Sequence, residues 1–444
     1  MKIPTIPPRC DDKPALSGLE IHNYFEVIHS KPFITYAHRY LHWDKLRRIP
    51  TPLSLTHEQW WCLTKSQRQL LLKPLPFSDR AGHPFCYAAT DPAMEYLHGI
   101  DRIAAGPPSN WGEFLTNSSV KDQYIADSLM REAITSSQLE GASTTTDVAK
   151  QMLHTGRKPR TRDEQMIFNN YAAMRKIRSL VGRPLTPELV FELHVILTTE
   201  TLDIPGAAGR FRKEDEKVVV ADELGQVLHT PPPAGDLPSR LAAMCDFANA
   251  ITPGYFLHPF VRATLLHFWL AYDHPFVDGN GRCARALFYW SALSSGYWLC
   301  EFLSISQLIR NAPVKYGRSF LYVETDDNDA TYFVLYHLQL IQQAINELRD
   351  HLVQKQQNLR EIESRLPDQP NLNLRQLALI HHALRHPGHS YTIKGHQASS
   401  NTVYETARTD LLNLVAQGYL TTTKRGRVFY FYPAKNLADH LNQP

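Results

Sequence analysis

The chain has 444 residues, 43% of them hydrophobic and 20% charged, with a net charge of +3; this is the balance of a folded protein of two to three domains, and it excludes a disordered or strongly basic polymer. Six cysteines, Cys10, Cys62, Cys86, Cys245, Cys283 and Cys300, form no Cys-x-x-Cys pair, so neither a zinc site nor a disulfide framework is indicated and a reducing cytoplasm is expected. The N-terminus has no apolar signal core, and the longest apolar stretch, around Ala286 to Leu303, is interrupted by Ser and Gly, so no membrane segment is expected.

Residues 1–100 read as a proline-bearing extended start followed by short helices. The clearest is THEQWWCLTKSQRQLLL, where Thr56 and Gln59 have the spacing of a capping box. Residues 122–141 place Ile125, Leu129 and Ala133 at helical spacing, with Gly141 as the stop. Ser136 and Glu140 fall on one face of this helix. A carboxylate in a last turn opposes the macrodipole by roughly 0.3 to 1 kcal/mol, so Glu140 calls for a cationic partner. Two amphipathic helices of a bundle follow. Then Val218, Val219 and Val220 and the run Gln226 to His229 flank the turn-like ADELG, which predicts a β-hairpin.

Pro259 opens a helix that is apolar on nearly every face, and Ala284 to Cys300 is again apolar and uncharged. The polar loop HPFVDGNGRCAR, His274 to Arg285, connects these interior helices and needs a chemical reason to be there. Gly279 and Gly281 leave backbone N–H groups able to close on an oxyanion at the start of the next helix. Asn280 can add an amide donor, and Arg282 and Arg285 can grip a polyphosphate. Asp278 is the hard oxygen donor that Mg²⁺ prefers, and His274 is the loop's group able to take a proton near neutral pH. Together they describe transfer of a phosphate-containing group to a hydroxyl. Gly279, Gly281 and Ala284 also satisfy a dinucleotide fingerprint with Glu301 as the ribose acid, but that fingerprint needs a preceding strand and here a helix is expected.

Beyond the core, Leu338, Ile341, Ile345, Leu348 and Leu352 form a seam on a long helix, suited to packing within the chain or to a homodimer face. From Leu372 the pattern becomes helix, short polar segment, helix and a basic hairpin turning at Arg425-Gly426, which describes a winged helix. Residues 372–444 carry 8 Lys and Arg against 3 Asp and Glu. That surplus permits DNA contact through Arg408, Lys424, Arg425 and Arg427, with protein docking as the alternative. His381, His382 and His386 read as helix surface rather than a metal site.

Position for position, His274, Pro275, Phe276, Asp278, Gly279, Asn280, Gly281, Arg282 and Arg285 resemble the signature of the Fic family. The resemblance extends over roughly residues 120 to 350 and implies a mostly α fold with a Fic-type helical bundle core and a β-hairpin flap; the domains expected are an N-terminal helical appendage over 1–100, this core over 101–365, and a small α+β winged-helix domain over 372–444. It implies a protein adenylyltransferase that moves AMP from ATP, with Mg²⁺, to a hydroxyl of a target protein or of itself. His274 would be the general base, Asp278 the metal ligand, Gly279, Asn280 and Gly281 the α-phosphate cradle, Arg282 and Arg285 the grip on the outer phosphates, and Tyr316 part of the nucleoside pocket. Ser136-x-x-x-Glu140-Gly141 resembles the family's inhibitory motif, whose glutamate would pair with Arg285. Val218, Val219 and Val220 would align the target by strand addition. Removal of AMP on the same site, or a DNA-binding regulator using the core as a nucleotide sensor, are the alternative readings.

Overall fold

The computed structural model describes residues 2–10, 34–52, 55–104, 118–222, 224–365, 371–425 and 428–441, and of residues 118–123, 205, 355, 356, 358–365 and 425 the backbone alone. The chain divides into two compact units, residues 1–105 with 128–345, and residues 106–127 with 346–444.

In the first unit a short helix α1 (Trp43–Leu46) precedes α2 (His57–Gln69), whose N-terminus has both halves of the expected box: Thr56 Oγ1 accepts from Gln59 N at 3.2 Å, and Gln59 Oε1 accepts from Thr56 N at 2.9 Å. The helix stops at Gln69, and the following residues depart from the helical expectation. Leu72–Ser78 (β1) and Pro84–Ala88 (β2) pair as an antiparallel hairpin. Pro74 and Pro76 make a strand hard to see in the sequence, since proline donates nothing to a ladder; this two-stranded sheet is all edge, where proline is tolerated. Phe77 stacks on Trp269 with ring centres 4.4 Å apart, so the hairpin buries its aromatic face on the core.

Helix α3 (Asp91–Ala104) follows, then α4 (Ser118–Leu139), α5 (Thr146–Thr155), α6 (Arg162–Ser179) and α7 (Pro187–Thr198). The predicted flap is present but short, with β3 (Val220–Ala221) paired to β4 (Val227–His229), so that Val218 and Val219 precede the strand. Helix α8 (Leu237–Ala248) leads to the central pair, α9 (Pro259–Asp273) and α10 (Asn280–Ser294). Phe260, Leu265, Phe268 and Trp269 on α9 and Leu287, Phe288 and Tyr289 on α10 are all buried, as the sequence of both segments requires. A helix before the Gly279 turn removes the dinucleotide reading, and Glu301 instead pairs with Arg178 at 2.9 Å. Helices α11 (Ile305–Asn311) and α12 (Pro313–Thr325) close the unit, joined by the first part of α13 (Thr331–Arg365). In α13, Leu338, Ile341, Ile345 and Leu352 are buried in the monomer, which favours packing within the chain for this seam.

A buried polar network ties the N-terminal segment to the α12–α13 junction. Arg68 is 1% exposed; its Nη1 donates to the Tyr332 hydroxyl at 2.9 Å and its Nη2 to Leu41 O at 3.1 Å. Lys65 Nζ lies 2.7 Å from Asp326 Oδ1. An unpaired charge at such depth would cost several kcal/mol, so these partners are obligatory. Cys10 and Cys62, 52 residues apart, form a disulfide. This corrects the expectation of unpaired cysteines, and with it one ground for a reducing cytoplasm; spacing alone carried no sign of the pair. Among the described residues no helix is long and apolar enough to cross a membrane.

In the second unit, α14 (Leu374–Arg385), α15 (Ile393–Ser399) and α16 (Tyr404–Ala416) precede the antiparallel pair β5 (Leu420–Arg425) and β6 (Val428–Pro433) and a last helix α17 (Leu437–Leu441). Helix α15 occupies what the sequence suggested was a short polar segment. A bridge between Tyr391 and Phe431 joins the α14–α15 connection to β6. Leu379, Ile380, Leu384, Ile393, Leu411, Leu414 and Phe431 belong to this unit's own core. Of the predicted hairpin turn at Arg425-Gly426, Gly426 lies outside the described residues, as does Arg427.

Candidate active site

The site grows from the break between α9 and α10. Helix α9 ends on His274, which takes a left-handed conformation with φ 46° and ψ 56° while its N–H still donates to Leu270 O at 3.0 Å. A non-glycine residue in that region stores strain and needs support from its surroundings. Arg212 supplies it: its Nε donates to His274 O at 2.9 Å, and its own backbone N–H donates to Pro275 O at 2.9 Å. The chain then turns inward on Phe276, which is fully buried. His194 stacks on that ring at 3.8 Å, receives Gly209 N–H on Nδ1 at 2.9 Å and faces Asp278 O with Nε2 at 3.0 Å. The accepting role of Nδ1 fixes the proton on Nε2.

Asn280 has a different task from the one expected. Its Oδ1 accepts Phe276 N–H at 2.9 Å and its Nδ2 donates to Phe276 O at 2.8 Å. The amide closes the loop on itself instead of reaching into the cradle. Arg282 also departs from expectation. It is fully buried, with Nη1 on Leu197 O at 2.9 Å and Nη2 on Asp278 Oδ2 at 3.2 Å, so it braces the loop from beneath. Asp278 accepts Gly279 N–H on Oδ1 at 2.6 Å, and its side chain is 44% exposed, leaving an outward side for a further partner.

The N-terminus of α10 provides the anion end. Gly279 has φ 84°, and a Cβ there would stand 2.8 Å from Thr198 Cγ2. The first backbone N–H groups of α10 have no acceptor within the helix and point out of its end. Over that end sits Glu140: a Cβ on Gly281 would run into Glu140 Oε1 and lie 3.1 Å from Arg285 Nη1. Arg285 itself is 2% exposed. Its Nη2 donates to Glu140 Oε1 at 2.8 Å and to Ser136 O at 3.0 Å, and its Nε donates to Ser136 Oγ at 2.8 Å. Burial opposes the arginine's charge, and Glu140 beside it more than restores that charge, raising its pKa.

Glu140 is carried here by the end of α4. Gly141, at φ 96°, stops the helix: Gly141 N–H donates to Gln138 O at 3.2 Å and Ala142 N–H to Ser137 O at 3.1 Å, the double closure of a Schellman end. About two turns earlier, α4 is pinned to the core. The buried Glu132 accepts the Tyr289 hydroxyl at 2.9 Å, the Ser304 hydroxyl at 2.9 Å and Ser306 N–H at 3.1 Å.

His274, Glu140, Gly281 and Arg285 line a cavity of about 230 Å³ together with Val220, His229, Tyr316, Phe320 and Glu324. His274 Nδ1 lies 3.2 Å from Ala271 O, which assigns its proton to Nδ1 and leaves the Nε2 lone pair as the basic one. Burial lowers its pKa to about 4, so the ring is neutral at physiological pH. The Tyr316 hydroxyl lies 2.9 Å from His267 Nε2, and burial raises its pKa to about 12. Of the flap's valines, Val220 reaches the cavity; Val219 is exposed.

Sequence reasoning missed Arg212, His194, His229 and Glu324. His229 Nδ1 lies 2.8 Å from Glu324 Oε2 and its Nε2 lies 2.8 Å from Tyr272 O, which fastens β4 to α9 and α12. Each of these contacts joins residues far apart in sequence, so no local spacing announced them. His382, His386 and His389 cluster beside Tyr391 in the second unit, and among the described residues no group of side chains forms a metal site.

Residues 184–292 match the model of the Fic/DOC family. The chain is 33% identical over 135 residues to a protein adenylyltransferase Fic of Nematostella vectensis, a match covering 30% of this chain and 28% of the relative. It is 39% identical over 69 residues to the like-named protein of Drosophila willistoni, covering 16% and 14%. The matches thus span well under a third of these relatives' own lengths. A crystal structure of a Fic family protein from Desulfovibrio desulfuricans G20 shares the fold, with a TM-score of 0.53 and 18% identity over 81% of this chain and 99% of that one.

Proposed function

We propose that this chain, whose residues 184–292 match the Fic/DOC family model, is a protein adenylyltransferase restrained by Glu140, moving AMP from ATP to a hydroxyl of a target protein or of itself. One observation carries the reading: a neutral histidine, a helix N-terminus and an arginine converge on the same cavity. In the reaction the target's hydroxyl oxygen attacks the α-phosphorus of ATP. His274 Nε2 takes the hydroxyl proton, the bond to the bridging oxygen breaks, and pyrophosphate leaves with the electron pair. The Nδ1 contact to Ala271 holds the ring in the tautomer this needs. Backbone N–H groups at the start of α10 face the α-phosphate and the charge that grows on it.

Asp278 would hold Mg²⁺; a single outward carboxylate suits this ion, which is usually completed by phosphate oxygens and water and would neutralise phosphate charge. An extended segment of the target would add along Val220, because a strand edge offers backbone donors and acceptors of its own. The restraint follows from position. Glu140 covers the α10 N-terminus and occupies Arg285, the side chain that would meet the outer phosphates. The remaining cavity is below the roughly 300 Å³ of ordinary ligand pockets, in keeping with an anion end already filled by a carboxylate.

The test is transfer of label from ATP to protein by the Glu140→Gly variant, with the label placed on the α-phosphate in one assay and on the γ-phosphate in another. Adenylyl transfer labels protein from the α-position alone. Label arriving from the γ-position, or from neither, contradicts the proposal.

A further inference from the structure

We propose that the second unit is a duplex-DNA docking module, with α16 lying in the major groove and the β5–β6 hairpin on the flanking backbone. Helix α15, the four-residue connection 400–403 and α16 form a helix-turn-helix, the arrangement whose second helix enters a groove. At 13 residues α16 is about 20 Å long, and a major groove about 12 Å wide admits a helix.

The faces of α16 are sharply divided. Ala407, Asp410, Leu411 and Leu414 are buried against the unit's core, while Tyr404, Arg408, Thr409 and Asn413 are exposed. The outward set can donate to phosphates and to base edges. The two acids on this helix take different positions. Asp410 is turned inward, where it meets Arg375 Nε at 2.8 Å and Asn373 Nδ2 at 2.8 Å. Glu405 stays outside but stands 3.6 Å from Arg408 Nη1, an exposed i,i+3 contact that a phosphate can replace.

Lys394 on α15 and Lys424 on β5 are exposed as well. Lys424 Nζ lies 5.3 Å from the Phe429 ring, which holds its stem along the hairpin with the charge outward. Residues 372–444 as a whole carry 8 Lys and Arg against 3 Asp and Glu. That surplus favours a polyanion over a neutral or basic partner.

DNA docking by this unit is independent of adenylyl transfer and is tested on the full chain. A fluorescein-labelled mixed-sequence duplex of about 20 base pairs is titrated with protein by anisotropy between about 50 and about 200 mM salt, for the wild type and for the triple variant Lys394→Ala, Arg408→Ala, Lys424→Ala. The substituted side chains are exposed, and an unchanged melting temperature confirms the fold. The wild type should bind at the lower salt and weaken steeply with its concentration. The triple variant should bind at least tenfold more weakly, with a salt slope shallower by about 2 to 3, because each phosphate left without its cation takes about 0.9 from the slope. Absence of binding at the lower salt, affinity untouched by the triple substitution, or tighter binding to an RNA duplex of equal length would each overturn it.

Discussion

Arg285 Nη2 stands 2.8 Å from Glu140 Oε1, and the same carboxylate oxygen fills the space that a side chain on Gly281 would need. One acid therefore neutralises the arginine and covers the start of α10. Glu140 looks misplaced at the end of α4 when that helix is considered alone. Its stabilising partners belong to α10.

Gly281 should be coupled energetically to Glu140. Adding a methyl group there forces the carboxylate aside, and overpacking of this kind costs about 1 to 3 kcal/mol. Gly281→Ala is expected to lower stability in the wild-type background and to shed much of that cost beside Glu140→Gly. Denaturant unfolding of the four proteins in the cycle measures the difference. Additive effects would place the two residues out of contact.

His274→Ala should reduce AMP transfer by about 10² to 10⁴, the usual contribution of a general base. Nucleotide affinity should change little, because the imidazole is assigned to the hydroxyl and not to the phosphates. Parallel measurement of transfer rate and ATP binding by calorimetry checks both halves. A folded variant with undiminished transfer removes His274 from the chemistry.

Asn280 braces the loop through two hydrogen bonds to Phe276. Asn280→Ala leaves a buried N–H and C=O without those partners, at about 1 to 3 kcal/mol for each group. The melting temperature should drop, and transfer should fall with it as the loop loosens. Asn280→Asp retains an acceptor for Phe276 N–H but sets a buried carboxylate oxygen against Phe276 O, so its loss of stability should equal or exceed that of Asn280→Ala.

Acid should destabilise the protein from about pH 6.5 downward. Burial lowers the pKa of His194 to about 4, and that of His42 likewise to about 4. Below the ordinary histidine pKa the unfolded chain binds protons that these folded rings refuse. The stability they confer is complete above about pH 6.5 and is lost as pH falls toward 4. For the fully buried His194 the loss is about 3 kcal/mol. Unfolding free energies between about pH 7 and about pH 4.5 should decline in the wild type, and the slope should be shallower in His194→Gln. Equal slopes would mean that His194 titrates alike in the folded and unfolded chain, contrary to its burial.

The legible part of the site was the part whose chemistry is local. The sequence placed His274, Asp278, Gly279, Gly281 and Arg285 in one stretch between two buried helices; the break between α9 and α10 holds the first three, and the first turns of α10 carry Gly281 and Arg285. What the loop does with its other polar residues depends on depth, which spacing does not encode. Arg282 points beneath the loop to Leu197 O and Asn280 folds back on Phe276, so both brace the loop where phosphate contacts were expected. Arg212 reaches His274 across 62 positions, and His194 reaches Asp278 across 84. In the fold, the long apolar periodicities of α9, α10 and α13 were readable. The β1–β2 hairpin was not, because Pro74 and Pro76 remove the usual strand signal, and neither was α15, which is too short to establish a helical period.

The restraint by Glu140 is tested most directly by the initial rate of α-labelled AMP incorporation, self-modification included, at saturating ATP and Mg²⁺. Wild type, Glu140→Gly, and Glu140→Gly combined with Arg285→Ala are compared. Glu140→Gly should exceed the wild type severalfold or more, since it frees both the helix end and the arginine. The double variant should lose most of that gain, because Arg285 without its acid is still needed for ATP. Equal rates in wild type and Glu140→Gly would contradict the account and reduce the Glu140–Arg285 pair to a structural contact.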